Sequence, residues 1–447
     1  MSSCFLKNHQ MNKPRLILIF LLLIQPITAN PIFAFHTNSI IAPFTKVTLE
    51  NGLTVIIKET HFSPIAAIDI RVATGAKNDP PEMAGISHFF EHMLFKGTEL
   101  RKVGEIAREI KSVGGYLNAQ TSLDTTDYYV VVPSEYINLA LDVESDVVMN
   151  SKFDPTEIER ERNVILEELK MLQDMQTNAT DLLIQQLFNM KSMAGTPETI
   201  KRINRDGFIS YYRKYYVPNN MVLVVTGDVN TGQVLNQINR LFKTFKPGQV
   251  EPSPPTKMPK LQAISYVEIE KEVKQNYLYF GFPAPNLNSK ENVYFELLKI
   301  ILGKCRSSRL LVLTDHQFVN SIYADYYAFK DAGVFAIYAE TLNTPVEVED
   351  RVRGILKQII EKGITDEELM KAKALLFAGF ASATESNLML ANLMSNYEVN
   401  SSIEVAMNYE TSIQTVTREE LQQVAQKYLD PEHYVLTVIK PKEENEL

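Results

Sequence analysis

The chain has 447 residues, 45% of them hydrophobic, and a formal net charge of −9. This length supports two or three domains with well-buried cores, and the composition excludes disordered, collagen-like and coiled-coil classes. The acidic balance and the absence of a Lys/Arg block argue against nucleic-acid binding.

At the N-terminus, Lys7, Lys13 and Arg15 precede the apolar run Leu16 to Ile24; Gln25 and Pro26 break it, and the small residues Ala29 and Ala34 follow. Basic, then apolar, then small is the order of a secretory signal, so residues 1–34 are expected to be a removable leader. The apolar run falls short of the about 20 residues that a helix needs to span a bilayer. No stable membrane span is therefore expected after cleavage, and an uncleaved anchor is the alternative. The expected location is across the inner membrane, in the periplasm. Removing the leader removes Cys4, leaves Cys305 unpaired and excludes a disulfide framework. Cys305 reads as structural.

Lys46 to Lys58 reads as a β-hairpin about Asn51-Gly52, a strong turn signal. Ala66 to Ala73 is a strand candidate. Residues 84–96, 101–113 and 134–149 carry helical patterns, and Tyr128 to Val132 is rich in β-formers. Residues 155–175 predict a long charged helix with an apolar stripe, and Met221 to Thr226 predicts a buried strand. Four prolines between Lys246 and Thr256 cannot continue a helix or a central strand, so 246–260 is the expected linker. It separates an expected N-terminal domain, 40–245, from a C-terminal one, 261–447.

The two halves share a signature. Lys214 to Val225 aligns without a gap with Lys427 to Val438: Lys-Tyr, a shared Pro, then an apolar strand, each preceded by a helical segment. The expected fold class is α+β, built as a duplicated domain.

His88 and His92 lie four apart, which on a helix puts both imidazoles on one face, a spacing suited to one Zn²⁺. Glu91 lies one turn from His88, within reach of a water held by such a metal, whose pKa drops to about 7. The pattern inverts the commoner His-Glu-x-x-His. The competing reading is two ordinary histidines beside a glutamate. A catalytic zinc needs a third protein ligand, and the 155–175 helix offers Glu168. Glu161, seven residues earlier, shares its face, as Val164 and Ile165 are also expected to. Carboxylates on an apolar stripe are costly unless paired or metal-bound. Glu168 is therefore the candidate ligand and Glu161 its support, while Glu159, Arg160 and Arg162 read as solvated Glu–Arg pairs.

With these residues in view, the chain resembles the pitrilysin/insulinase family of zinc peptidases, as a short bacterial-type member similar to mitochondrial processing peptidase subunits. His88-Phe-Phe-Glu91-His92-Met-Leu-Phe-Lys-Gly-Thr98 is similar to the family's zinc helix, and Glu161-Arg-Asn-Val-Ile-Leu-Glu-Glu168 to its downstream segment. The resemblance implies one Zn²⁺ per chain held by His88, His92 and Glu168, with Glu91 as general base and Glu161 as a supporting acid of the catalytic set. Gly114 to Thr121 resembles the substrate-binding edge strand, where Asn118 and Ala119 would contact an extended peptide by strand addition. Tyr215 to Asn220 and Ser307-Ser308-Arg309-Leu310 extend the likeness over essentially the whole mature chain. Two similar domains are implied, each a mostly antiparallel sheet packed with helices, with no metal motif in the second.

One departure stands out. Many members carry an Arg and a Tyr, seven apart, in the second half. Tyr323 and Tyr326 are candidates for the Tyr, and no Arg stands seven before either. The expectation is a homodimer, or a heterodimer with a related chain that supplies the Arg/Tyr pair. The expected activity is zinc-dependent endopeptidase action on oligopeptides or unfolded segments. The alternative is a non-catalytic or partner-dependent subunit on the same fold. His316 and His433 read as surface or packing residues.

Overall fold

The computed structural model describes residues 39–174 and 179–442; the expected leader lies outside the described residues. The first half builds a sheet from β1 (Thr45–Thr48), β2 (Thr54–Glu59), β3 (Ile65–Val72), β4 (Tyr116–Thr121), β5 (Thr126–Pro133) and β6 (Met221–Gly227), in the order β1-β2-β6-β3-β5-β4. Only β2 and β6 pair in parallel; the other ladders are antiparallel. The Asn51-Gly52 turn is wider than a two-residue loop, since the last pair is Thr48 with Thr54. Gly52 takes φ +88°, a region favouring glycine. Asn51 donates to the Phe242 and Phe245 carbonyls at 2.9 and 3.1 Å, which pins the turn from across the domain.

The helices of this half are α1 (Ile86–Leu94), α2 (Glu105–Ser112), α3 (Ile137–Asn150), α4 (Pro155–Asp174), α5 (Ala179–Phe188), α6 (Pro197–Arg202), α7 (Arg205–Tyr215) and α8 (Thr231–Phe242). Residues 246–264 carry neither helix nor strand. The second half contributes β7 (Ser265–Lys271), β8 (Asn276–Ala284), β9 (Ser321–Ala328), β10 (Gly333–Thr341) and β11 (Val435–Pro441), in the order β7-β11-β8-β10-β9. Its helices include α9 (Asn292–Lys299), which continues as a π-turn over Ile300–Lys304, then α10 (Val312–Asp315), α11 (Pro345–Lys362), α12 (Asp366–Glu385) and α13 (Asn387–Asn400). No single described helix is long and apolar enough to cross a membrane.

The strand order shows the duplication, with β2, β6, β3, β5 and β4 corresponding to β7, β11, β8, β10 and β9. The hydrogen-bond registers refine it to single residues. Val224 lies between Ile56 and Asp69, as Thr437, its partner in the gap-free sequence match, lies between Val267 and Tyr279. Outward from there, Asp69 faces Tyr129 and Tyr129 faces Asn118, while Tyr279 faces Tyr338 and Tyr338 faces Tyr323. Asn118 and Tyr323 therefore hold the same position on equivalent edge strands.

Each sheet has two faces to bury. In the first sheet, Ala66, Ile68, Ile70 and Val72 of β3 turn toward a core shared with α1, α3 and α8. The opposite face, with Ala67, Val222 and Val224, is covered by Leu390, Ala391 and Met394 of α13, a helix of the second half. The second sheet receives the reverse: Leu183, Ile184 and Leu187 of α5 cover Tyr277, Tyr279, Val334 and Val435. The fit is close, since a Cβ on Gly281 would lie 2.9 Å from Leu183 Cδ2. Polar contacts follow the same exchange, from Thr226 Oγ1 to the Asn387 carbonyl (2.6 Å) and from Arg71 Nε to Ser395 Oγ (2.9 Å).

Arg71 is buried between Asp69 (3.6 Å) and Asp127 (3.2 Å), so two carboxylates share one guanidinium. Burial pushes the Asp69 carboxyl above the usual carboxylate range, against the pull of Arg71. Glu144 of α3 is fully buried, and neither carboxyl oxygen has a partner among the described residues. Burial, reinforced by Asp69, raises Glu144 to about 8.

Because each half covers the other's sheet, Leu183→Ala should lower the stability of the whole chain by roughly 2–5 kcal/mol. Denaturant unfolding followed by circular dichroism should show one transition; two separated transitions would show independent halves. A second prediction concerns pH. A carboxyl whose folded pKa lies above its unfolded value holds its stability below the unfolded pKa, about 4.5. It loses that stability as pH climbs toward about 8. Glu144→Gln should therefore be more stable than the parent at pH 8, by on the order of a few kcal/mol at most, and nearly equal to it at about pH 4.5.

Candidate metal centre

The candidate site starts from α1. Ile86, Phe89, Phe90, Met93 and Leu94 are buried, which fixes the helix's rotation and leaves His88, Glu91 and His92 on the other side. Phe90 sits in an aromatic nest, 4.4 Å from Tyr216 and 4.9 Å from Phe153 between ring centroids, and Phe89 meets Phe208 edge-on at 4.9 Å. Gly85 precedes the helix at φ +91°, and a Cβ there would lie 2.6 Å from the Ala194 carbonyl. The first-turn donors go to Asp79, whose Oδ2 accepts from Gly85 N–H (2.8 Å) and Ser87 Oγ (3.1 Å) and whose Oδ1 accepts from Ser87 N–H (3.3 Å). Burial pushes the Asp79 carboxyl up to about 8 against these hydrogen bonds. Sequence reasoning missed this residue, because two prolines and a 3-10 turn separate it from the helix it caps.

The long helix α4 packs along α1 and α6 through Ile158, Ile165 and Leu169. Val164 does not share that face: it is exposed, which corrects the expected stripe. Arg162 is also corrected. It pairs with Glu159 at 2.9 Å as expected, but it is buried. Its guanidinium donates to the carbonyls of Ile200 and Ile203 at the C-terminal end of α6 and lies over the Phe89 ring at 5.5 Å. Those carbonyls lack helical partners, and a buried arginine supplies them.

These two helices bring His88, His92 and Glu168 together, with one ligand atom from each lying within 4.8 Å of the others. His92 Nε2 is 3.4 Å and His88 Nε2 3.9 Å from Glu168 Oε2, and the imidazoles meet edge-on at 4.9 Å. Ligand atoms on a tetrahedral zinc with bonds near 2.1 Å sit about 3.4 Å apart, so the set fits one zinc ion and leaves a coordination position open. Burial, and then the neighbouring His92, lowers His88 to about 4, which favours the neutral ring that a metal requires. Glu161 accepts no role as a ligand here. Its Oε2 meets His92 Nδ1 at 3.4 Å, on the far side of the ring from Glu168. That is the outer carboxylate–histidine contact typical of zinc sites. His88 Nδ1 is buried without such a partner among the described residues.

Glu91 is half-buried beside Thr121, the last residue of β4. Burial raises its carboxyl, and hydrogen bonding from Thr121 pulls it part of the way back. Below lies the Tyr128–Tyr216 hydroxyl pair, 2.5 Å apart. β4 is one edge of the sheet and pairs only with β5. The Ala119 N–H turns away from β5 and is accepted by Asn118 Oδ1 at 2.9 Å. On β9, Tyr326 N–H is likewise accepted by Asp325 Oδ1 (2.9 Å), so the two-residue period turns Ala324 N–H outward as well. There the edge is shut, since a Cβ on Gly303 of the π-turn would lie 2.3 Å from Ala324 N. Tyr326 is buried and donates to the Pro285 carbonyl at 2.6 Å. Tyr323 is exposed, its ring stacked on Tyr338 at 4.7 Å, and its described contacts stay within the second sheet. Seven residues before Tyr323 stands His316, exposed at the end of α10.

Comparison with known proteins adds an independent line. Residues 54–197 match the model of "Insulinase (Peptidase family M16)" and residues 202–376 that of "Peptidase M16 inactive domain". A Rickettsia bellii protein named an uncharacterized zinc protease is 32% identical, over 84% of this chain and 90% of that protein. A probable mitochondrial-processing peptidase subunit beta of Arabidopsis thaliana is 28% identical, over 69% of this chain and 62% of that protein. Among solved structures, a protease from Helicobacter pylori superposes with a TM-score of 0.83 at 24% identity, covering 89% of this chain and 99% of that one.

Asp79→Ala removes the acceptor for the Gly85 and Ser87 N–H groups and the Ser87 hydroxyl and should cost about 1–2 kcal/mol in denaturant unfolding. Asp79→Asn, which keeps an acceptor oxygen, should cost less. Equal stability of the alanine variant and the parent would show that α1 does not depend on this cap.

Proposed function

The chain belongs to the insulinase family of M16 peptidases, and from that premise we propose that it is an exported zinc metalloendopeptidase acting on oligopeptides or unfolded segments. The convergence of His88, His92 and Glu168 within 4.8 Å, beside Glu91, carries the reading. When bound, zinc supplies Lewis-acid polarisation of a peptide carbonyl and lowers the pKa of a water molecule to about 7.

The remaining chemistry belongs to side chains. Glu91 takes a proton from the attacking water as its oxygen bonds to the carbonyl carbon, then delivers that proton to the amide nitrogen as the C–N bond breaks. The raised affinity of Glu91 for a proton, caused by burial, suits it to both halves of this exchange. The β4 edge receives the substrate backbone: Asn118 Oδ1 releases the Ala119 N–H, which then donates to a peptide carbonyl. Tyr323 is the candidate donor in the second half. Export rests on the basic, apolar and small order of the first 34 residues.

A second, partner-dependent reading is favoured by His316, which occupies the place seven before Tyr323 where many relatives carry Arg. An imidazole is a weaker and shorter donor than a guanidinium. In this reading a related chain, in a heterodimer, provides the Arg/Tyr pair that stabilises the developing oxyanion.

The test is hydrolysis of a mixed set of unstructured peptides by the purified mature chain, alone and with a related chain, with bound zinc quantified by mass spectrometry. Chelator should abolish cleavage, and Glu91→Gln should lower kcat by roughly 10²–10⁴-fold while retaining zinc. Cleavage only in the mixture selects the partner-dependent reading. A chain that binds no zinc and cleaves nothing in either setting refutes the peptidase.

A further inference from the structure

Glu161 has two oxygens, and only one meets His92. The other, Oε1, lies 2.6 Å from Lys96 Nζ. Glu161 is nearly buried, with its side chain 7% exposed, and Lys96 is about one-third exposed. Lys96 sits just past the end of α1, where the backbone is held twice. Its own N–H donates to the Met93 carbonyl at 3.0 Å, and the next residue, Gly97, turns at φ +109°. The Phe95 ring before it packs on Tyr128 at 5.8 Å. The ammonium therefore approaches Glu161 from an anchored base.

We propose that Lys96 is a positioning residue for the metal centre: by holding Glu161 Oε1, it keeps Oε2 on His92 Nδ1 and so presents His92 Nε2 toward Glu168. The inference rests on the zinc reading above and extends it to a residue outside the ligand set. Three geometric facts carry it. The chain Lys96–Glu161–His92–Glu168 is continuous, with successive separations of 2.6, 3.4 and 3.4 Å. The two Glu161 oxygens are divided between the two partners, so a rotation that freed one would lose the other. Among the described residues His88 Nδ1 has no hydrogen-bond partner, so the outer carboxylate contact that these residues give the two histidines is the one on His92.

A purely electrostatic role predicts the opposite sign. A lysine near a dication repels it, so deleting the positive charge would tighten zinc binding. Positioning predicts weaker binding, because outer-contact mutations typically cost 10- to 100-fold in metal affinity, as an order of magnitude.

The experiment measures zinc affinity by competition with a chromophoric chelator on the full mature chain, at fixed pH and salt. It compares the parent, Lys96→Met, Lys96→Arg, Glu161→Gln and the Lys96→Met/Glu161→Gln double variant, with apo-protein folding checked by circular dichroism. Lys96→Gln replaces the methionine variant if that variant fails to fold. The expected result is about a 10-fold or greater loss for Lys96→Met, recovery toward the parent in Lys96→Arg, and no further loss in the double variant beyond Glu161→Gln. Unchanged or tighter binding in Lys96→Met overturns the positioning role while leaving the zinc site intact, as does an additive double variant. A parent chain that binds no zinc overturns both this inference and the functional reading on which it rests.

Discussion

The constraint on which the structure depends is that each β-sheet has two apolar faces and its own half covers only one. Burying a large aliphatic side chain is worth about 1.5–3 kcal/mol, and an open sheet face would forfeit several such gains. The chain meets this demand by exchange: α5 crosses to the second sheet and α13 crosses to the first. The duplicated halves are thereby interlocked, and β3 lies between its own helices and a helix from the other end of the chain. The candidate metal centre inherits this arrangement. Glu168 lies near the end of α4, and the chain then passes to α5, which is seated on the second sheet. The candidate third ligand is thus carried on a segment whose continuation is packed in the other half.

Inside that frame the site uses charges that burial makes expensive. Arg71 with two aspartates, Asp79 at a helix start, Arg162 at a helix end and Glu161 behind His92 each settle a specific unsatisfied group. Buried ion pairs are weak evidence for stability and better evidence for orientation. Here the buried polar groups act by hydrogen bonding: Asp79 takes donors at the start of α1, Arg162 supplies the carbonyls where α6 stops, and Glu161 meets one imidazole. Glu144 is the exception, a buried carboxyl with no partner among the described residues and no role in the site geometry.

Much of the site was legible because its information is local. His88, Glu91 and His92 fall within one helical turn and Glu161 and Glu168 within two, so the 3.6-residue period assembles each set without tertiary knowledge. The repeat of Lys-Tyr, Pro and an apolar strand located equivalent strands, because strand and turn chemistry were both retained. What could not be read depended on distant parts of the chain. Asp79 caps a helix it does not adjoin. Arg162 has the spacing of an ordinary exposed Glu–Arg pair, and only the position of α6 reveals that its guanidinium is buried. Val164 misled because a neighbouring residue on a helix can fall just past the edge of a contact face. That Tyr323 is exposed while Tyr326 is buried follows from the strand's alternation of faces, which needs the register. The exchange of α5 and α13 was invisible, since an amphipathic stripe records that a helix is covered and not what covers it.

Duplication ought to have given the chain two equivalent strand edges, at β4 and at β9. Backbone edges are indiscriminate: an unpaired row of N–H and C=O groups will zip with any extended chain, including another copy of itself. Here one edge has been shut by the approach of Gly303 to Ala324, and the other is guarded by the Asn118 carboxamide on the Ala119 N–H. The symmetry is broken at the level of valence. Of these two equivalent edges among the described residues, β4 is the one left unblocked, and it is the one packed beside the helix that carries His88 and His92.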